Sequence, residues 1–186
     1  MDFTMVDKFN EDVLETRRQR DADYEEYKKA DRIFGLVPRE RITKIKFPRV
    51  KREIIERYYA IEDVASTVSD LLDGYGINGA IPSSYLKPLV PGSKIVGTAV
   101  TVRNIPTRKT PTKGYMDHDF IAMSTRDIYY LGEPGDVLVS DFGGDLEVSN
   151  MGEQSCTVGK NAGFAGNIVN GCCRDAAAIR AMGYPV

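Results

Sequence analysis

The chain has no tryptophan, a single histidine (His118) and three cysteines. So few cysteines exclude the disulfide framework that staples small secreted domains. Two of them, Cys172 and Cys173, are adjacent and lack the two-residue gap of a zinc knuckle. Small packing residues in a reducing, cytoplasmic setting are the expectation for all three. No apolar run approaches the roughly 20 residues that span a bilayer. The amino-terminal MDFTMVDKFNEDV is too acidic and polar for a signal peptide. There is also no excess of positive charge: 25 Lys and Arg stand against 27 Asp and Glu, a net charge of −2. Nucleic-acid binding rests on neutralising phosphates with a basic surface, so this balance gives no electrostatic case for such a partner. It gives none for a membrane either.

What is present is ordinary for a soluble globular protein, with 42% hydrophobic and 28% charged residues. A length of 186 residues suffices for one domain with a sizeable core and an extension. The division expected is a helical arm over 1–59 and an α/β domain over 60–186. From Asn10 to about Ile33 the chain is highly charged, free of Gly and Pro, and rich in helix formers. Tyr24, Tyr27, Ala30 and Phe34 recur at helical spacing, and Gly35 offers a stop. So thin a stripe fits a solvated helix resting on its own body, or an arm that packs on a neighbouring subunit.

Two helices fit 48–59 and 62–73, the second ended by Gly74, before the proline-rich loop IPSSYLKPLVPGS. KIVGTAVTVRNI is a strand whose Gly97 signals a bend or a close backbone approach. The polar PTRKTPTKGYMDHD reads as loop, and 118–131 as a helix ending near Gly132. Strands at 135–142 and 165–170 bracket the loop GGDLEVSN and a helix over 152–162. DAAAIRAM forms a further helix ended by Gly183, and YPV begins another strand. Strand, helix, strand, helix, strand in this order predicts an α/β domain with parallel pairing.

The stretch NGCCRDAAAIR sets Arg174 and Asp175 side by side where a strand hands over to a helix. A helix from Glu153 to about Ala162 is roughly 15 Å long. The returning strand, about 20 Å, brings Arg174 and Asp175 back to Gly152, Glu153 and the first-turn amides of Gln154 and Ser155. Those amides favour a bound anion such as a carboxylate. Arg174 grips a planar oxyanion with paired donors, and Asp175 helps to hold a hard divalent cation. Glu153 is a candidate base or water-positioning group. Plain structural roles stand beside these: Glu153 as an ordinary first-turn acid, Asp175 as the cap of helix 176–182, and Arg174 in an ion pair with Asp175 or Glu153. Their convergence beside a glycine favours a site.

Glu153, twenty residues, then Arg174-Asp175 resembles the acidic-X20-Arg-Asp signature of the RraA-like family. That family includes class II 4-hydroxy-4-methyl-2-oxoglutarate/4-carboxy-4-hydroxy-2-oxoadipate aldolases and the regulator of ribonuclease activity A. VSDLLDGYGI, LVPGSKIVGTAVTVRN, GEPGDVLVSDFGGD, MGEQSC and NAGFAGNIVNGCCRDAAAIRAMGYPV agree in order, over about residues 60–186. The resemblance implies a β/β/α swivelling-domain-like fold, a homo-oligomer (trimer or dimer of trimers) and a Mg²⁺- or Mn²⁺-dependent carbon–carbon lyase. That lyase would cleave a 4-hydroxy-2-oxo acid, decarboxylate oxaloacetate, or both, through a pyruvate enolate.

The resemblance also implies roles. Asp175 is then the metal-holding carboxylate, and Arg174 binds the 2-oxo acid and steadies the enolate. Glu153 handles a proton or water, and the amides of Gln154 and Ser155 cradle the pyruvyl carboxylate. Lys160 alone carries an amine in the signature segment, at the helix's far end, so a Schiff base is not expected. The other function the family implies is a non-catalytic binding regulator of an endoribonuclease. A methyltransferase is not expected, because FGGDLEVSNMG lacks the spacing of a nucleotide loop. Four features depart from the family. Asn170 stands where it usually has Asp. Residues 105–117 form a longer connection. The arm lies outside the resemblance, and the chain ends at Val186 where relatives continue, so it is expected to be a C-terminally incomplete piece.

Overall fold

The computed structural model describes residues 3–35, 37–119 and 125–186. The chain divides into two compact units. One comprises Met1–Pro48 with Thr107–Leu131, the other Arg49–Pro106 with Gly132–Val186.

In the first unit, helix α1 runs Phe3–Lys29. It stops earlier than Gly35. The N–H of Arg32 bonds the carbonyl of Tyr27 at 2.9 Å and that of Asp31 bonds Lys28 at 3.2 Å. Asp31 sits between them at φ 54°. This is a Schellman closure in which an aspartate takes the left-handed position usually given to glycine. Tyr27 is buried with Ile42 and Ile45, and Tyr24, Ile33, Val37 and Leu131 pack around them. The stripe therefore covers residues of its own chain, whereas Phe34 lies outside the helix against Tyr130.

Salt bridges flank this small core: Arg39 to Asp21 at 2.9 Å and to Glu25 at 3.1 Å, and Lys46 to Glu26 at 2.6 Å. Two short helices follow in the same unit, α4 at Pro111–Met116 and α5 at Thr125–Leu131. The first falls in the stretch expected as loop. Of the helix expected over 118–131, residues 120–124 lie outside the described residues. His118 is in a turn at φ 57°, so the helix does not begin there.

The second unit opens with α2 (Arg52–Tyr59) and α3 (Val64–Gly74). Asp63 caps α3 by accepting from Ser66. Strands β1 (Ala99–Arg103), β2 (Val137–Asp141) and β4 (Gly166–Asn170) form one parallel sheet in the order β1-β2-β4. Val100, Leu138 and Asn167 stand in register across it. The all-parallel pairing agrees with the α/β class expected.

Gly97, just ahead of β1, makes the close approach its position suggested. A Cβ there would lie 2.2 Å from the carbonyl oxygen of Gly135. A second, two-stranded parallel sheet joins β3 (Ser149–Met151) to β5 (Cys172–Cys173). Helix α6 covers Glu153–Asn161 and α7 covers Ala176–Met182. Tyr184–Val186 is not a strand, although the N–H of Asn167 bonds the carbonyl of Pro185 at 3.0 Å.

Leu138, Met151, Cys156, Phe164, Ile179 and Tyr184 are among this unit's buried side chains. Asn167 is buried with them and is satisfied on both sides. Its amide nitrogen reaches the sulfur of Met151 at 3.5 Å and that of Cys156 at 3.9 Å, and its oxygen accepts from the Tyr184 hydroxyl at 3.2 Å. All three cysteines are free. Burial pushes the Cys156 thiol up to about 12 and that of Cys173 to about 11, so both stay protonated and act as packing residues.

Candidate active site

The residues expected to converge do so, through backbone as much as side chains. The loop after β2 leads into β3, and β3 into α6 through Gly152. The end of β4 leads into β5, and β5 into Arg174 and Asp175. Pairing of β3 with β5 sets Met151 opposite Cys173. The N–H of Arg174 then bonds the carbonyl of Met151 at 2.9 Å. This ladder places the Arg-Asp pair at the amino end of α6, as the helix and strand lengths required.

Asp175 adopts φ 58° and ψ 33°, a left-handed conformation unusual for a residue with a Cβ. It stands at the cap position of α7, yet its side chain makes no capping bond there. Its Oδ2 instead accepts the backbone N–H of Glu153, at 3.2 Å, and the Nε–H of Arg174, also at 3.2 Å. The carboxylate thus caps α6, not its own helix. The Glu153 amide, and after it the Arg174 guanidinium, hold its carboxyl below the usual carboxylate range. Such unfavourable backbone angles persist only where the surroundings over-determine them, and they cluster at functional sites.

Gly152 makes the contact possible. A Cβ on it would lie 2.7 Å from Oδ2 of Asp175 and 3.1 Å from Cγ of Arg174. No side chain fits there while Asp175 remains in place. Of the structural pairings weighed, Arg174 with Asp175 forms. Among the described residues Glu153 has no ion pair. The Arg174 side chain is 72% exposed and uses only Nε in the pair. Its two terminal nitrogens have no protein partner among the described residues. The Gln154 and Ser155 amides lie in the first turn of α6, where the Cys156 N–H bonds the Gly152 carbonyl at 3.1 Å. Glu153 and Gln154 are exposed and Ser155 half-buried.

For a metal, the donor set is sparse. No group of three or more His, Cys, Asp or Glu able to hold an ion occurs among the described residues. Among the described residues Asp175 Oδ1 has no protein partner, and the carboxylate is held ionised. One carboxylate with the remaining positions left to water and substrate is a coordination pattern that Mg²⁺ accepts. The residues present therefore fit a hard divalent cation bound mainly through water. No helix among the described residues is long and apolar enough to cross a membrane.

The sequence reading missed a neighbouring group. Arg103, Asp141 and Asn170 end β1, β2 and β4 in register. Asp141 Oδ1 accepts from the Gly143 N–H at 2.9 Å and from Asn170 Nδ2 at 2.8 Å, and Oδ2 pairs with Arg103 Nε at 3.3 Å. The signal was available in part: Asn170 stood out as a departure from the family, without a partner to explain it.

Comparison with known proteins agrees with the signature. The chain is 30% identical over 122 residues to Protein DlpA of Legionella pneumophila, an alignment covering 66% of this chain and 18% of that protein. It is 31% identical over 119 residues to a putative 4-hydroxy-4-methyl-2-oxoglutarate aldolase of Halalkalibacterium halodurans, covering 64% of this chain and 49% of the relative. The chain thus spans half or less of the curated relatives it matches. Among solved structures, Streptomyces coelicolor RraAS2, an unusual member of the RNase ES inhibitor RraA protein family, superposes with a TM-score of 0.56. It is 25% identical, and the match covers 75% of this chain and 63% of that one. An uncharacterized Pseudomonas syringae protein, 23% identical, shares the fold with a TM-score of 0.56, covering 75% of this chain and 57% of that one. The family model described as RraA-like, Aldolase/RraA, matches residues 65–186. The chain belongs to the RraA-like family.

Proposed function

We propose that the site at the amino end of α6 binds a 2-oxo acid and breaks a carbon–carbon bond to release pyruvate by way of its enolate. The observation that carries this is the Asp175 carboxylate drawn under Gly152 onto the Glu153 amide, which leaves the outer nitrogens of Arg174 available to a ligand. In this reading the substrate carboxylate lies against the first turn of α6 at Gln154, where helix-terminal N–H groups favour an anion. The terminal nitrogens of Arg174 meet the 2-oxo oxygen. As the C3–C4 bond breaks, its electron pair passes into the enolate, and the guanidinium stabilises the negative charge gathering on that oxygen.

For a 4-hydroxy substrate the C4 hydroxyl must lose a proton. Glu153, exposed beside the site, accepts it directly or through a water, and water then protonates C3 of the enolate to give pyruvate. Oxaloacetate needs no such base, because carbon dioxide leaves with the bond. Asp175 and water would hold Mg²⁺ or Mn²⁺, which supplies Lewis-acid polarisation of the 2-oxo group. The aldolase name of the Halalkalibacterium halodurans relative supports this reading at family level.

The test is pyruvate release from oxaloacetate and from 4-hydroxy-4-methyl-2-oxoglutarate, with Mg²⁺, with chelator, and with Arg174→Ala. Metal-dependent release that the substitution abolishes is the expected result. No release from either substrate removes the proposal.

A second reading is a binding regulator of an endoribonuclease, favoured by the likeness to RraAS2, an unusual member of the RNase ES inhibitor RraA protein family. Under it, capture of an endoribonuclease by the chain is unaffected by Arg174→Ala. Capture lost with Arg174, or absent altogether, counts against it.

A further inference from the structure

We propose that Asp141 is a positioning residue for the Gly152–Asp175 site. It acts by tying the loop after β2 to the end of β4. The proposal rests on the lyase reading for its kinetic consequences but not for its geometry.

Two loops build the site, one after β2 and one after β4, and neither has a long element to fix it. Strand β3 has three residues and β5 has two. The two loops meet first at Asp141. A single oxygen, Oδ1, accepts the Gly143 N–H of the first loop and the Asn170 side-chain amide at the end of β4, from which the second loop leaves. The backbone repeats the tie: the N–H groups of Phe142 and Gly144 both bond the carbonyl of Asn170, at 3.0 and 3.3 Å.

From there the connection runs without a gap. Asp145 Oδ1 accepts the N–H groups of Glu147, at 2.8 Å, and Val148, at 3.1 Å, turning the chain into β3. Pairing of β3 with β5 leads to the bond from Arg174 N–H to Met151 and to the contact between Asp175 and the Glu153 amide. A change at Asp141 therefore reaches both sides of the Gly152 contact. A second fact separates this role from simple sheet stability. The middle of the sheet is held by its own ladder and by buried Leu138, neither of which involves the Asp141 side chain.

Asn170 gives the tie its chemistry. An amide donates where a second carboxylate would repel, so the bond forms with Asp141 ionised. The Gly143 N–H, and after it Asn170, hold the Asp141 carboxyl below the usual range, and Arg103 adds to this. Arg103 itself is 78% exposed, and an ion pair so open to water contributes little.

The test compares the parent chain with Asp141→Ala, Asp141→Asn and Arg103→Ala. Amide hydrogen exchange is read at Glu153, Arg174 and Leu138, alongside kcat and KM for oxaloacetate. In Asp141→Ala, exchange at Glu153 and Arg174 is expected to rise about tenfold or more while Leu138 keeps its protection, as in a local opening. The value of kcat falls about tenfold with KM changed less, as for lost alignment of reacting groups. Asp141→Asn keeps an oxygen for Gly143 and Asn170 and is expected to restore both measurements. Arg103→Ala should match the parent. Exchange at Glu153 and Arg174 unchanged in Asp141→Ala overturns the proposal, as does a loss of protection that extends to Leu138. If the parent releases no pyruvate, the lyase reading fails, and the exchange comparison still decides the role of Asp141.

Discussion

Gly152 and Asp175 define the site at the residue scale. A methyl group at 152 would sit 2.7 Å from the Asp175 oxygen and 3.1 Å from the Arg174 stem. Gly152→Ala is therefore expected to displace the Arg-Asp pair. Pyruvate release should fall at least about tenfold, and stability should change by about 1 kcal/mol or less, because the position is extended backbone open to any residue. A calorimetric melt beside a rate assay checks this, and an Ala variant with the parent's rate refutes it.

Acid should act on the same contact. A lowered carboxyl pKa in the folded chain means that the Asp175–Glu153 bond contributes above the unfolded value of 3.8 and is lost as pH falls through the lower folded value. The step in the Glu153 amide resonance that follows protonation of Asp175 should be centred below 3.8. Asp175→Asn should lack that step. The convergence of Glu153, Arg174 and Asp175 was legible in the sequence because helix rise and strand rise are fixed lengths. That Asp175 caps α6 instead of α7 was not, since the choice depends on one left-handed backbone angle.

Among the elements, the entrance to α2 and the start of β2 are tied by a buried ion pair. Asp136 is 2% exposed and receives Arg49 in a forked arrangement: Nε at 3.0 Å from each oxygen and Nη2 at 2.9 Å from Oδ2. The Glu133 N–H adds a bond at 2.8 Å. Removing one partner of a buried pair strands a charge, so Arg49→Ala should lower stability by about 3 kcal/mol. Urea unfolding measures it, and a loss below about 0.5 kcal/mol, as for an exposed pair, would refute it.

The elements also show where sequence signals fail. Helix α4 was missed although Thr110 accepts from the Lys113 N–H and Pro111 opens the first turn, both ordinary helix-start signals. Gly114 and the surrounding polar residues masked them. Strands β3 and β5 carry no alternation, being too short to show a period of two. Their pairing comes from the β2 and β4 loops meeting, a tertiary event.

For the molecule as a whole, the family resemblance implies a homo-oligomer. Leu71, Tyr75, Ile77, Ile81 and Tyr85, all large and apolar, lie exposed in the second unit. Sedimentation equilibrium should give a mass of three or six times 20.7 kDa. A monomer at micromolar concentration would remove that expectation.

The sequence by itself determined the α/β class, the parallel pairing of β2 with β4, the family and the residues of its signature. These follow from period, rise per residue and motif spacing, all local properties of the chain. Tertiary structure alone decided that α1 covers its own chain's Ile42 and Ile45, that Asp136 fastens Arg49, and that Asp141 joins two loops through Asn170. Each of these pairs residues far apart in sequence. Their contact depends on how whole elements pack, which no local pattern encodes.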